Sequence, residues 1–472
     1  MASKKNILIA IADDASHFGC YGYDFVNTPT IDRLAAEGVR FDSAFTCNPK
    51  CAPSRASILT GKYSWQLKDA MNHFCTFPAG ETFIPDYLEK AGYFVGYTGK
   101  GWGPGDFSAY ARNPAGTPFN ALHTEKQEGT CINTCDYAGN FKQFLEKRGD
   151  KPFYFWYGCY EPHRPYTVGE GKGDGPLSSV TLPPYLPDDD VVRADFLDYA
   201  HEIAWFDRQL GEMVEHLKEI GEYENTLILV LSDNGCPFPR VKGQMYEQDF
   251  RLPLVASCPQ LIAERGTICT DIINFVDILP TLLDYAGVAP PACEGHSFLP
   301  VLCGEAYTPN SYAFLGREKH DNGRENDLGY PVRCVRDERY LLIYNFEPER
   351  YPAGNPETGF TNCDSSPTKD LILALYERGE DVCYRLAFGK RPQIELYDIV
   401  ADEACMHNLA TEAAYASRVK EMIGVLFAYL IKTGDPRIVQ DKDYFDRLPL
   451  LTDKRPYSWY AYTHGYWQKQ TF

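Results

Sequence analysis

The segment NILIAIA, residues 6–12, is an apolar run without polar alternation, which predicts a strand covered on both faces as in a parallel sheet. Asp13 and Asp14 stand at its carboxyl end. The same grammar recurs in YFVGYTGK (93–100), FYFWYGCYEPH (153–163) and TLILVLSDNG (226–235), each an apolar run closing on polar residues. Helical periodicity lies between them, in PTIDRLAAEGV, ETFIPDYLEKAGY and the long amphipathic stretch from about Asp188 to Ile220. This alternation predicts an α/β fold with a mixed, largely parallel sheet flanked by helices, whose ligands bind beyond the carboxyl ends of the strands. All four polar tails then meet on one rim.

After about residue 310 the texture changes to short candidate strands, YAFLG, PVRCVRD, RYLLIYN and IELYDIV, and a closing helix from about Thr411 to Lys432. They predict a smaller C-terminal α+β subdomain on an antiparallel sheet, and hence a division into residues 1–310 and 311–472. The tail from Pro436 on, rich in Asp, Pro and Tyr, has no periodicity that predicts its order.

Charge and cysteine content narrow the classes. A net charge of −19 argues against nucleic acid or an anionic membrane as the main partner, so any anion site must be local. Sixteen cysteines scattered through 472 residues without a framework of spacings point to reduced thiols. The start, MASKKNILIAIA, lacks the small-residue cleavage site of a secretory signal, and no window reaches the roughly 20 apolar residues of a spanning helix. As written, the chain is expected to be soluble and cytoplasmic, or periplasmic or secreted if a leader has been removed.

Two adjacent aspartates ending a buried strand repel each other unless a cation lies between them, and hard oxygen ligands suit calcium or magnesium. Taken singly, Asp13–Asp14 reads as an ordinary loop or helix cap and Asp233–Asn234 as a turn; together on one rim they make a four-oxygen metal site. In CNPKCAPSRASILTGKY, residues 47–63, a helix starting near Pro53 would turn its amide groups toward Cys51, with Arg55 facing the same way. That combination makes a berth for an anion.

The stretch CAPSRASILTGKY resembles the signature of the type I sulfatases, members of the alkaline-phosphatase-like superfamily. Companion motifs follow in the family's order: IADD (11–14), TGKGWG (98–103), EPHRP (161–165), SDNG (232–235) and KGQMYEQDFRLP (242–253). The resemblance implies that Cys51 is oxidised to formylglycine by a maturation enzyme, the aldehyde's hydrate being the nucleophile. It implies a divalent metal, calcium by family analogy, on Asp13, Asp14, Asp233, Asn234 and the modified Cys51. Arg55 and Lys100 would hold the hydrate, Lys242 the sulfate, and His163 would protonate the leaving group. Lys62 stays open between a site and a surface residue.

One departure stands out: where the family has G-K-x-H, this chain has Gly99, Lys100, Gly101 and Trp102. His73 is a candidate stand-in for the missing histidine, and Trp102 a candidate apolar wall for a sugar; Arg164 and Arg240 complete the substrate-side candidates. DNGCPFP, EPHR, YPVRCVRDERYLLIYN and ELYDIVADEACMHNLA further resemble the heparan N-sulfatases, or sulfamidases. The implied substrate is a sulfated amino sugar or glycosaminoglycan-derived saccharide, N-sulfate ahead of 6-O-sulfate. The alternatives are a phosphodiester or phosphonate monoester hydrolase of the same superfamily and a non-catalytic module that binds sulfated glycans.

Overall fold

The computed structural model describes residues 5–452 and 454–469; the basic start before Lys5 lies outside them. Its large sheet has eight strands: β1 (Asn6–Ala12), β2 (Val39–Phe41), β3 (Phe94–Gly99), β4 (Thr117–Pro118), β5 (Phe153–Gly158), β6 (Thr226–Ser232), β7 (Leu254–Ser257) and β8 (Thr267–Cys269). They lie in the order β8-β2-β7-β6-β1-β5-β3-β4, and only β7 runs antiparallel to its neighbours.

The unbroken apolar runs are explained by two cores. Ile7, Ile9 and Ile11 of β1 enter one, with Leu227, Leu229 and Leu231 of β6, while Leu8, Ala10 and Ala12 enter the other, with Ile228 and Val230. Each isoleucine or leucine so buried contributes about 1.5–3 kcal/mol, which leaves no room for a polar residue on either face. Helices α1 (Pro29–Glu37), α4 (Tyr137–Lys147) and the thirty-residue α5 (Asp190–Glu219) cover one face. Helices α2 (Cys51–Thr60) and α3 (Ile84–Lys90) cover the other.

The second sheet orders β9 (Ala313–Arg317), β10 (Val332–Arg336), β11 (Tyr340–Asn345) and β12 (Ile394–Asp398) antiparallel. It too is covered twice. Val332, Cys334, Leu341 and Ile343 pack toward Phe45, Met245 and Phe250, whereas Val335, Leu342 and Leu396 meet Met422, Leu426 and Leu430 of the closing helix α8 (Ala416–Lys432).

Two features depart from the sequence expectation. Between β11 and β12 the chain leaves the second sheet and forms α6 (Pro367–Glu377) and α7 (Val382–Phe388), which bury Ile372, Ala387 and Phe388 in the core beneath α5. The tail is also ordered over its described residues: Leu451 N–H donates to the Phe74 carbonyl at 2.8 Å, and the amides of Trp459 and Tyr460 donate to Asp327. Among the described residues no helix is long and apolar enough to cross a membrane, and all sixteen cysteines are free thiols.

Candidate active site

Adjacent strands β6, β1, β5 and β3 bring their carboxyl ends to one rim, and those of β1, β5 and β3 open on a cavity of about 610 Å³, within the usual range of about 300–1,000 Å³ for small-ligand sites. β1 ends in Asp13 and Asp14, β6 in Asp233 and Asn234, β3 in Lys100, and the loop after β5 carries His163. Asp14 has a φ of +76°, a left-handed conformation that aspartate tolerates better than most residues, and its amide donates to Asp233 Oδ1 at 3.2 Å. Gly99 and Gly158 let the ends of β3 and β5 close together. A Cβ on Gly99 would lie 2.1 Å from the Gly158 carbonyl oxygen, and the Lys100 amide donates to that oxygen at 2.7 Å.

Helix α2 begins at Cys51, two residues earlier than its proline suggests, because the first turn of a helix accepts Pro53 without losing a hydrogen bond. Cys51 and Arg55 are thus one turn apart on the same face. Cys51 Sγ lies 3.9 Å from Asp14 Oδ1, and Arg55 Nε donates to Asp233 Oδ2 at 2.7 Å. The remaining Arg55 nitrogens donate to the Lys100 and Gly101 carbonyls through Nη1 or face Asp13 Oδ1 at 3.7 Å through Nη2. Lys100 pairs with Asp13, and Lys242 Nζ bridges Asp14 Oδ2 at 2.6 Å and Asp364 Oδ2 at 3.0 Å.

The electrostatics are those of an incompletely neutralised acid cluster. Burial opposes the charge on Asp13, but Lys100, His163 and Arg55 hold it well below the usual carboxylate range. Burial and the neighbouring Asp13 charge push Asp233 up to about 7. Burial and Asp13 likewise push the Cys51 thiol well above its ordinary value, so the sulfur is not a thiolate near neutrality. Oxygens of Asp13, Asp14 and Asp233 lie within 4.8 Å of one another, and Asp13 Oδ1 and Asn234 Oδ1 are buried without a hydrogen-bond partner among the described residues. Carboxylates forced together around orphaned oxygens fit a hard divalent cation.

His163 turns Nε2 toward Asp14 Oδ2 at 4.0 Å, while its Nδ1 lies 2.5 Å from the Arg164 carbonyl. A carbonyl only accepts, so Nδ1 carries the proton. Burial and the Lys242 ammonium push this imidazole down from its ordinary value.

The sequence profile of the sulfatase family matches residues 5–288. The chain belongs to the sulfatases. It is therefore an enzyme of the sulfuric ester or sulfamate hydrolase class, with the alkaline-phosphatase-like fold. A second profile, for the C-terminal part of N-sulphoglucosamine sulphohydrolase, matches residues 241–351. Human N-sulphoglucosamine sulphohydrolase is 26% identical to this sulfatase over 480 residues, spanning 92% of this chain and 91% of its own. N-acetylglucosamine-6-O-sulfatase of Bacteroides thetaiotaomicron is 26% identical over 525 residues, 90% and 86% of the two chains. A solved structure in complex with its substrate D-glucosamine-2-N,6-O-disulfate shares the fold with a TM-score of 0.64 at 22% identity, covering 92% of this chain and 98% of that one.

Of the substrate-side expectations for this sulfatase, Arg240 needs correction, while Arg164 and Trp102 line the cavity with most of their polar or ring surface already engaged. Arg240 does not line the cavity: Nη1 and Nη2 donate to the carbonyls of Leu386 and Cys405, and the guanidinium stacks on Tyr246, tying α7 and the loop after β12 to the main body. Arg164 lines the cavity, but both terminal nitrogens donate to Asp195 at 2.8 and 2.9 Å and Nε donates to the Pro237 carbonyl, so three of its five N–H groups are spent on fixing the fold. Trp102 lines the cavity but is only 3% exposed, packed edge-on against Phe77 with its indole N–H on the Ala52 carbonyl. Lys62 lies outside the cavity, paired with Glu81 at 2.7 Å. Conversely, Lys50, Glu202, Asp321 and Asp364 line the cavity without having drawn notice. Lys50 is signalled by its place beside Cys51, whereas Asp364 carries no sequence signal because only the docking of the insertion brings it there.

Proposed function

We propose that the protein removes sulfate from a sulfated amino sugar or glycosaminoglycan-derived saccharide, with N-sulfoglucosamine as the preferred group. The match of residues 241–351 to the C-terminal profile of N-sulphoglucosamine sulphohydrolase carries this reading, because that segment supplies Lys242 and Asp321 to the cavity wall. The same reading assigns catalysis to residues 1–310 and pocket completion to 311–472, supported by the reach of Asp321 and Asp364 into the cavity.

In this reading Asp13, Asp14, Asp233 and Asn234 would hold a divalent cation, for which the all-oxygen set suits calcium or magnesium and the family resemblance favours calcium. When bound, that ion withdraws charge from a sulfate oxygen as the bond to the sugar breaks. Cys51 is converted to formylglycine by a maturation enzyme, and supplies the nucleophile in that form; the high thiol pKa accords with a precursor rather than a thiolate nucleophile. Arg55 and Lys100 hold the hydrate, and the Lys242 ammonium orients and neutralises the sulfate. His163 holds its proton on Nδ1 at rest. The arriving sulfate group, a monoanion, raises its pKa, so that Nε2 takes a proton and passes it to the departing nitrogen or oxygen.

The test is a screen of defined N-, 2-O-, 3-O- and 6-O-sulfated glucosamine saccharides, with aryl phosphonate esters alongside, using enzyme whose Cys51 peptide shows the aldehyde by mass spectrometry. Sulfate release from the N-sulfated compound at the highest kcat/KM is expected. Exclusive 6-O-desulfation, or phosphonate turnover at parity with sulfate, would overturn the assignment.

A further inference from the structure

His73 lies in the loop after α2, and its ring and the residues around it form an arrangement that the chemistry above does not use. Its Nδ1 is 3.3 Å from Asp321 Oδ1, and the other oxygen of that carboxylate accepts from Lys50 Nζ at 2.8 Å. All three side chains are at least nine-tenths buried, and all three line the same cavity as Cys51. The backbone pins the group: the His73 amide donates to the Lys319 carbonyl and the Lys319 amide to Asn72 Oδ1, both at 2.9 Å. The far nitrogen of the ring, Nε2, is buried and has no hydrogen-bond partner among the described residues.

The protonation pattern follows from the partners. Burial works against the charge on Asp321, but Lys50 and His73 hold it well below the usual carboxylate range, so the carboxylate is ionised and can only accept. Nδ1 must therefore carry the ring proton. Nε2 of the neutral ring is then a buried, unpartnered lone pair on a residue of the cavity lining, alongside the ammonium groups of Lys50, Lys100 and Lys242. A buried acceptor with no partner is destabilising, and a ligand bearing a donor removes that cost.

Resting on the amino-sugar reading, we propose that His73 is a specificity-determining residue whose Nε2 accepts a hydrogen bond from an O–H or N–H donor of the sugar ring, and that Asp321 and Lys50 are positioning residues that lock the accepting tautomer. A charged Asp321 between Lys50 and His73 excludes the opposite tautomer, in which Nε2–H would instead favour a sugar acceptor. The second sheet thus takes part in recognition, because Asp321 lies just beyond its strand β9.

The test is a cycle crossing protein and substrate variants. The kcat/KM of the N-sulfated saccharide is compared with that of analogues lacking one ring donor at a time, by deoxygenation or O-methylation, for wild type, His73→Ala, His73→Gln and Asp321→Asn. In wild type, loss of the recognised donor lowers kcat/KM about tenfold or more. In His73→Ala the same analogue loses nothing further, and His73→Gln, whose amide oxygen can accept, restores part of the dependence. Nitrogen NMR of labelled histidine reports Nδ1–H in wild type and a shift toward Nε2–H in Asp321→Asn, which needs no turnover. Equal losses across every analogue in wild type and His73→Ala, or an Nε2–H tautomer in wild type, would overturn the inference while the enzyme stays active. A wild type that turns over no sulfated amino sugar would instead sink the functional reading on which it rests.

Discussion

Arg164 offers a quantitative test of the distinction between a ligand-binding and a structural arginine in the cavity wall. Its guanidinium and the Asp195 carboxylate have side-chain exposures of 2% and 1%, and they meet in a bidentate pair at 2.8 and 2.9 Å. Asp195 also accepts from Thr368 Oγ1 at 2.6 Å, which fastens α6 to α5. An exposed pair of this kind would be worth about 0–1 kcal/mol. Here, replacing the arginine strands a buried carboxylate, so Arg164→Met is expected to lower the unfolding free energy by about 3–5 kcal/mol. The Arg164→Met/Asp195→Leu double variant, which removes the stranded charge as well, should recover more than half of the loss. Equilibrium urea unfolding followed by tryptophan fluorescence measures both. A loss below about 1 kcal/mol for the single variant, together with a raised KM for the saccharide, would refute the structural role and return the guanidinium to the ligand.

Chelation should lower the thermal midpoint and calcium should restore it, approaching about 2.7 kcal/mol of stabilisation at a hundredfold excess over Kd; Asp233→Asn should abolish most of this response in calorimetry. Lys100→Met and Lys242→Met should each reduce kcat/KM by about 100- to 1,000-fold in steady-state assays, the loss expected for one preorganised charge partner of a developing anion. The His73 imidazole carries a pH signature. Burial pushes its pKa down to about 4 from 6.5, so between those values the native state binds fewer protons than the unfolded state. Stability should therefore fall as pH drops from about 6.5 to about 4, by up to about 3 kcal/mol, and His73→Gln should flatten that part of the urea-midpoint profile.

The sequence by itself determined β1, β3, β5 and β6, because a strand buried on both faces must be apolar throughout and must shed its polar residues at its end. That single constraint placed Asp13, Asp14, Lys100 and Asp233 at carboxyl ends, and parallel pairing of adjacent strands then brings them together. Short-range order was enough because neighbours in a parallel sheet share a direction. Tertiary structure alone decided which charged side chains remain available to a ligand. Arg164 and Arg240 look in the sequence like any cation near a motif, and it is Asp195, thirty-one positions away, and the Leu386 and Cys405 carbonyls that occupy them. Asp364 and Asp321 reach the cavity only because the insertion and the second sheet dock on the first. No local pattern encodes such pairings, since a buried charge is satisfied by whichever partner the fold carries to it, at any separation along the chain.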